Sequence, residues 1–149
     1  MADAITKDNV SKMTWKNIFD LINAIPDPDT RATKWVFSSF PDKRIDEKAV
    51  YPIITITPSV ITNWESVTFK SVKVITGRNT VSVFTTNAEQ MDEISDLVFS
   101  KVNDNTSTLY GNNIISISVD STSYSSFERK GFKVHMKTMS LKWEFHFNR

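Results

Sequence analysis

The chain has 149 residues, of which 40% are hydrophobic and 11% aromatic, enough for one ordinary globular core and too many for a disordered chain. Its 18 basic and 17 acidic side chains leave a formal net charge of +1, which argues against a nucleic-acid-binding protein with a basic face. It contains no cysteine, which excludes disulfides, thiolate metal sites and a cysteine nucleophile.

The N-terminal residues are polar and charged, without the apolar stretch of a signal peptide. No apolar run in the sequence approaches the ~20 residues that cross a bilayer. We therefore expect a soluble protein of one domain, residues 1–149, made in a cytoplasm, with a flexible segment at residues 1–13.

The first predicted element is a short amphipathic helix. Thr14 has a side chain suited to an N-cap, and Pro26 and Pro28 cannot continue the helix. Between them the apolar residues recur at three- and four-residue steps: Trp15, Ile18, Phe19, Ile22 and Ile25. A linker, residues 27–33, follows this helix.

The next segments are rich in β-branched and aromatic residues. We predict strands at residues 34–40 and 50–57, separated by a charged loop at residues 41–48. Two further apolar runs, residues 69–75 and 80–86, flank the Thr-Gly-Arg-Asn sequence at residues 76–79. Glycine between two strand-like runs is typical of a β-hairpin, so we predict a turn there.

A second helix follows, and its start is well marked. Asn87 suits the N-cap position, and Gln90 lies three residues later, as in a capping box. One face carries the apolar residues Met91, Ile94, Leu97, Val98 and Val102. The acidic residues lie on the other face: Glu89, Asp92, Glu93 and Asp96. At these spacings they are typical of a solvated helix face, although they could also suggest a cation site or an acid/base pair.

The C-terminal third alternates between apolar and polar residues. We predict a strand at residues 114–119, a polar loop at residues 120–131, and a long final strand in which odd-numbered residues 139–147 are apolar. Phe132, Val134 and Met136 have the opposite parity, so we predict a bulge or break near residues 137–138. The order of elements predicts an α+β fold: a mostly antiparallel, twisted sheet with two helices packed against it.

Residues for catalysis or cofactor binding are few. The two histidines, His135 and His146, are eleven residues apart and have no spacing typical of metal ligands. The sequence has no G-x-S-x-G motif, and its three glycines form no phosphate-binding loop. We therefore predict no enzyme activity, no cofactor and no metal.

Two segments are candidate interaction surfaces. The predicted loop at residues 120–131 contains Tyr124, Phe127, Arg129 and Lys130, and aromatic residues beside arginine are enriched at protein interfaces. The alternative is that Tyr124 and Phe127 only pin the loop to its own core. Arg78 and Asn79 at the predicted hairpin tip could also reach a partner, although for the tip alone we favour a simple solvated turn.

The order of these elements resembles the tail-terminator or tail-completion proteins of long-tailed bacterial and archaeal viruses, the head–tail joining group. The resemblance lies in the N-terminal helix Trp15–Ile25 and in Tyr51–Ile56, which is similar to the P-x-(I/V)-x-(I/V) strand of that group. It extends to the strand and helix in Val81–Ile94 and to the closing strand Val134–Trp143. Residues 57–68 and 120–131 have no matching counterpart.

The resemblance implies a non-enzymatic virion protein of the tail or neck, assembled in the host cytoplasm. It would form a homo-oligomeric ring, usually a hexamer, that caps the tail-tube protein and docks to the capsid connector, without specific nucleic-acid or membrane binding. Three alternatives stay open. They are another neck protein beside the connector, a cytosolic α+β module that binds a small ligand, and a minor enzyme that brings His135 or His146 close to carboxylates.

Overall fold

The structure is a computed structural model that describes residues 8–31, 34–38, 51–66, 72–106 and 114–148. These ranges contain two helices and a six-stranded, mostly antiparallel sheet, which confirms the predicted α+β class. The elements are α1 (Val10–Asn23), β1 (Val36–Phe37), β2 (Ile53–Ile56), β3 (Val60–Ser66), β4 (Val72–Thr85), α2 (Ala88–Asp104), β5 (Ile114–Arg129) and β6 (Phe132–Asn148).

The sheet is built around β4 and β6, which pair antiparallel from Val72–Asn148 to Thr85–His135 without a register shift. The strand order is β1-β2-β4-β6-β5, and β3 pairs with β4 beyond the end of β2. Only the short β1–β2 pair is parallel. Within the described ranges, the margins of the sheet are β5 on one side and β1 and β3 on the other.

Both helices cover the same face of the sheet. The main core, as we call it, joins apolar residues of α1 and α2 to alternate residues of the central strands. Its buried strand residues are Val36, Ile54, Ile56, Ile75, Val81, Val83, Met139, Leu141, Trp143 and Phe145. A smaller second core lies on the opposite face and contains Tyr51, Ile53, Phe84 and Val134. Trp15 of α1 also donates an indole hydrogen bond to the Ile56 carbonyl at 3.1 Å.

The bulge predicted near residues 137–138 is wrong. In β6, Val134 belongs to the second core, whereas the alternate residues Met139, Leu141, Trp143 and Phe145 belong to the main core. The change of parity therefore reflects two apolar covers on opposite faces of one regular strand. The register shifts lie in the neighbouring strand, between Ile114 and Ser116 and between Val119 and Ser121.

The predicted hairpin at residues 76–79 is also wrong, because β4 runs straight through it. Gly77 pairs with Trp143 of β6. A Cβ atom on Gly77 would lie 2.3 Å from Cζ2 of the Trp143 indole. Glycine in a strand often marks a close approach of this kind. Here the missing side chain lets the indole ring of Trp143 pack directly against the backbone.

The predicted loop at residues 120–131 is a strand for most of its length. β5 continues to Arg129, and the chain reverses at Lys130 and Gly131, whose φ angles are +37° and +86°. Two consecutive positive φ angles are typical of the two-residue turn that matches the twist of a β-hairpin. The hairpin turn therefore lies at residues 130–131, between β5 and β6, and not at residues 76–79.

The helices agree better with the sequence. Asn87 caps α2 as predicted, since its Oδ1 accepts hydrogen bonds from the amides of Glu89 and Gln90 at 2.9 and 3.3 Å. Leu97, however, is 52% exposed and does not belong to the buried stripe. Ser95 is buried instead, and its hydroxyl donates to the Met91 carbonyl.

The first helix begins earlier than the sequence predicts. It starts at Val10 after an Asn9 that makes no side-chain capping bond, so Thr14 lies inside the helix and is buried. Val10 and Met13 pack in the main core, which corrects the predicted flexibility of this part of residues 1–13. The predicted loop at residues 41–48 lies outside the described residues.

Candidate interaction surface

Asn79, predicted at an exposed turn, is 1% exposed and lies in the interior, so it is not an interaction residue of this chain's surface. Its Oδ1 accepts a hydrogen bond from Trp143 Nε1 at 2.8 Å. Its Nδ2 donates to the Thr57 carbonyl at 3.0 Å and to Ser59 Oγ at 2.9 Å. The amide therefore ties β4 to β6 and to the segment between β2 and β3, and its role is structural.

Arg78 points to the opposite face, as the alternation of a strand requires. Its guanidinium forms an ion pair with Asp120 of β5 and donates to Ser140 Oγ of the intervening β6 at 3.3 Å. The hydrogen bond from Arg78 holds the pKa of Asp120 below its usual value. Asp120 is the extra residue at the β5 register shift, so this ion pair spans three strands on a partly exposed surface.

Phe127 and Arg129 lie at the hairpin end of β5, beside the second core. The Phe127 ring contacts Phe84 edge to face, with ring centroids 6.3 Å apart. The Arg129 guanidinium lies over the same ring, 5.3 Å from its centroid. The structure thus favours the core-pinning interpretation for Phe127, while Lys130 is exposed in the adjoining turn.

Tyr124 is 54% exposed, and its hydroxyl lies 2.7 Å from Nδ1 of His135 on the next strand. The two rings stack with centroids 6.0 Å apart. β6 has no register shift between the two histidines, so His146 lies on the face of β6 opposite to His135. Its Nε2 atom lies 3.5 Å from Oε2 of Glu144. The fold therefore separates the histidines, and the described residues contain no cluster of three metal-ligating side chains.

The acidic face of α2 is solvated, as predicted. Glu89, Asp92, Glu93 and Asp96 are all exposed. Asp92 forms an ion pair with Lys137 of β6 at 3.1 Å. This bridge links the start of the helix to the sheet and leaves the other acidic side chains at the surface.

The feature that the sequence did not predict is the outer half of β5. Every residue from Asp120 to Ser126 is exposed, so this stretch is covered on neither face of the sheet. β5 pairs with β6 on one side, and no described strand pairs with its other side. The alternation of Ile117 and Val119 with Ser116 and Ser118 was visible in the sequence, but it stops at the register shift near Asp120.

The opposite margin also carries exposed apolar residues. At the start of β3, Val60 is 61% and Ile61 39% exposed. Next to it lies an apolar cleft of about 290 Å³, lined by Ser11, Lys12, Trp15, Ser38, Pro58 and Ser59. β3 pairs only with β4 among the described strands, so its outer edge is open as well.

A larger depression, about 540 Å³, lies where the chain leaves α1. It is lined by Phe19, Asn23, Ile25, Asp27, Arg31, Lys34 and Trp35. Arg31 donates to Asp27 at 2.8 Å and to the Pro52 carbonyl at 2.6 Å. Partial burial of Asp27 opposes ionisation, but the hydrogen bonds from the Arg31 side chain and from the amides of Asp29 and Arg31, with the charge of Arg31, together outweigh it, so the pKa of Asp27 lies below its usual value.

Neither helix in the described ranges combines the length and apolar character of a membrane-spanning helix. A scan against known protein families finds no family that matches the chain, and a search of curated proteins finds no relative.

Proposed function

We propose that this protein is a non-enzymatic structural component of a virion, located at the head–tail interface. In this proposal, copies of the chain form a ring, usually of six, that terminates the tail tube and docks to the capsid connector. The observation that carries the proposal is a sheet whose two margins have no further strand among the described residues, one of them being a long strand exposed from Asp120 to Ser126.

Open margins on opposite sides of one sheet suit a cyclic assembly. A ring needs heterologous contacts, in which one patch meets a different patch on the next copy. β5 offers one such patch and β3 the other, and backbone pairing can join two strand edges without a special side-chain motif. The near-balanced net charge of +1 adds little repulsion between copies.

The arrangement of the helices fits the same role. Both helices cover one face, whereas the other face carries Arg78, Ser140 and Lys142 on neighbouring strands. In a ring, one face of each sheet can point toward the axis and the other outward, so a helical layer and a polar layer would meet different neighbours. The resemblance of the element order to tail-terminator proteins supplies the identity of those neighbours.

The test uses purified protein and tail tubes assembled without it. Native mass spectrometry and light scattering should give one closed oligomer, and electron microscopy should place it at tube ends. Because a ring can also close only on the tube, the protein is measured both alone and with tubes. A strict monomer that ignores tube ends would exclude the proposal, and binding to the connector without binding to tubes would favour the alternative of another neck protein.

A second candidate, a module that binds a small ligand, rests on the depression at the end of α1. Its volume, about 540 Å³, lies in the range of ligand sites, and its lining mixes apolar rings with Asp27, Arg31 and Lys34. The Lys34 ammonium lies 5.7 and 5.3 Å from the ring centroids of Phe19 and Phe37. Thermal shift with a library of small anionic compounds tests this candidate, since a ligand that binds the folded state raises Tm.

A further inference from the structure

We infer that β5 is the strand through which each copy joins the next, by pairing its outer edge antiparallel with the outer edge of β3 of the neighbouring copy. This inference rests on the proposed ring and names the contact that closes it. The occupant of the β5 edge is therefore a second copy of this chain.

The backbone of β5 is prepared for a second partner. From Ser121 to Ser126 it pairs with β6 in an unbroken register. In a regular strand, alternate residues direct their N–H and C=O groups to the other side, where no described strand meets them. Such a row of free donors and acceptors is a template for another strand.

The side chains do little to protect this edge. Edge strands of monomeric proteins are usually guarded by charges, prolines or bulges. In β5 both register shifts lie at or before Ser121. The only charged residue before Glu128 is Asp120, and its carboxylate is bound by Arg78. Residues 121–126, Ser-Thr-Ser-Tyr-Ser-Ser, are uncharged and exposed on both faces.

This uncharged stretch also gains little from its own chain. A strand normally derives stability from at least one buried face, but residues 120–126 have none. Pairing on the second edge would turn a margin of the sheet into its interior. It would also satisfy backbone groups that no described strand pairs with.

Strand directions favour β3 as the partner. β5 is antiparallel to β6, and β6 is antiparallel to β4, so β5 runs parallel to β4, whereas β3 runs antiparallel to β4. A rotation about an axis from which the strands tilt, as in closed sheets, nearly keeps these directions, so β3 of the next copy meets β5 in the antiparallel sense. The other strand at that margin, β1, is only two residues long, whereas β3 has seven residues and offers the longer edge.

Composition and position agree with this choice. β3 presents Val60 and Ile61, which are β-branched and exposed, at an edge without charge at its start. Across the sheet, Val60 lies level with Ser118, several residues from the centre of the uncharged stretch of β5. The strands of neighbouring copies would thus be staggered, as closed sheets require.

Disulfide trapping tests the contact, because the natural chain contains no cysteine. Val60→Cys is combined with Ser121→Cys, Ser123→Cys or Ser125→Cys, all at exposed positions on the face of the sheet that carries Arg78. Under mild oxidation, we expect a ladder of covalent oligomers that reductant removes, with one of the three pairs the most efficient. The matched control combines Val60→Cys with Ser100→Cys, which is exposed on α2 and away from both edges.

The other outcomes overturn the inference in distinguishable ways. A covalent dimer from Ser125→Cys alone would mean that β5 pairs with itself, which cannot propagate a ring. Rings that form in native mass spectrometry without cross-linking above the control would reject this contact and leave the proposed function standing. A protein that is monomeric alone and on tubes would remove both.

A charge on the edge gives a second test without cross-linking. Ser123→Lys should abolish assembly at concentrations where the natural chain assembles, while circular dichroism and Tm stay close to those of the monomeric natural chain. Ser118→Lys, in the half of β5 that already carries the register shift, should assemble normally. Equal assembly of both variants would contradict the inference.

Discussion

Two strand segments, one containing the turn predicted at residues 76–79 and one within the predicted loop at residues 120–131, share their secondary structure and differ in burial and position in the sheet. Residues 75–83 of β4 lie at the centre of the sheet, with Ile75, Asn79, Val81 and Val83 buried. Residues 120–126 of β5 lie at its margin and are exposed. The first segment is extended because side chains pack around it, and the second because a neighbouring backbone pairs with it.

This difference teaches where the stability and the assembly of the molecule reside. A change in the β4 segment must disturb a packed interior, which costs free energy of unfolding. A change in the β5 segment meets water on both faces, so its effect should be seen in association with other chains. The predictions below test this division, beginning with the largest expected loss of stability.

The first prediction concerns the buried amide of Asn79. Asn79→Ala would leave the indole N–H of Trp143 and the carbonyl of Thr57 without their partner. Each unsatisfied buried group costs about 1–3 kcal/mol, so we expect a loss of about 3 kcal/mol in the free energy of unfolding, measured by urea denaturation. Asn103→Ala, on the exposed surface of α2, is the control and should change stability by less than about 0.5 kcal/mol. Equal effects of the two variants would mean that the amide is not a structural centre.

The second prediction concerns the contact between Gly77 and Trp143. Gly77→Ala places a Cβ atom 2.3 Å from Cζ2 of the indole, and the fully buried ring has little room to move. Overpacking of this kind costs about 1–3 kcal/mol, more than the ~0.4–1 kcal/mol that replacing glycine gains by restricting the unfolded chain. We therefore expect a net loss of about 1–2 kcal/mol in urea denaturation.

The double-mutant cycle shows whether that loss comes from the indole. Trp143→Phe removes the benzo ring that meets the new methyl group, so Gly77→Ala should cost clearly less in that background. An identical cost in both backgrounds would assign the effect to the backbone of β4 instead.

The sequence predicts the elements whose signals are local. Asn87 caps α2 where its side chain and position indicate, and the alternation of Met139, Leu141 and Trp143 correctly gives the buried face of β6. These features depend on neighbours one to four residues away, so pattern and propensity suffice. The α+β class follows from the same elements.

The errors arise where a distant residue decides the local structure. Gly77 is typical of a turn until Trp143, sixty-six residues later, is placed against it. Likewise, residues 120–126 have the composition of a loop, and only pairing with β6 makes them a strand. Asn79 was predicted at the surface for the same reason. Its hydrogen-bond partner Trp143 is distant in the sequence, and no local pattern identifies it.

The third prediction concerns the ion pair of Asp27 and Arg31, at the exit of α1. Because the pKa of Asp27 is lowered in the folded state, its carboxylate stabilises the fold above the unfolded pKa of about 4, and that contribution is lost as pH falls through the folded value. Asp27→Asn should therefore reduce stability at pH 7 by up to about 1 kcal/mol, and the difference from the natural chain should shrink in acid. Urea denaturation at pH 7 and pH 3 measures it, with exposed Asp29→Asn as the control. A difference that is the same at both pH values would exclude this ion pair as its source.

The fourth prediction has the smallest expected effect on stability and is the most direct test of the comparison. Ser123→Ala should change the free energy of unfolding of the monomer by less than about 0.5 kcal/mol, since the side chain is exposed and no core depends on it.

Amide hydrogen exchange should show slow exchange throughout residues 75–83, but alternating fast and slow exchange along residues 121–126, where only every second amide faces β6. In the assembled state the fast amides of β5 should become slow, because the second edge is then paired. A monomer in which residues 121–126 are already uniformly protected would mean that the edge of β5 is covered by its own chain, and the contrast between the two segments would then lie in side-chain packing alone.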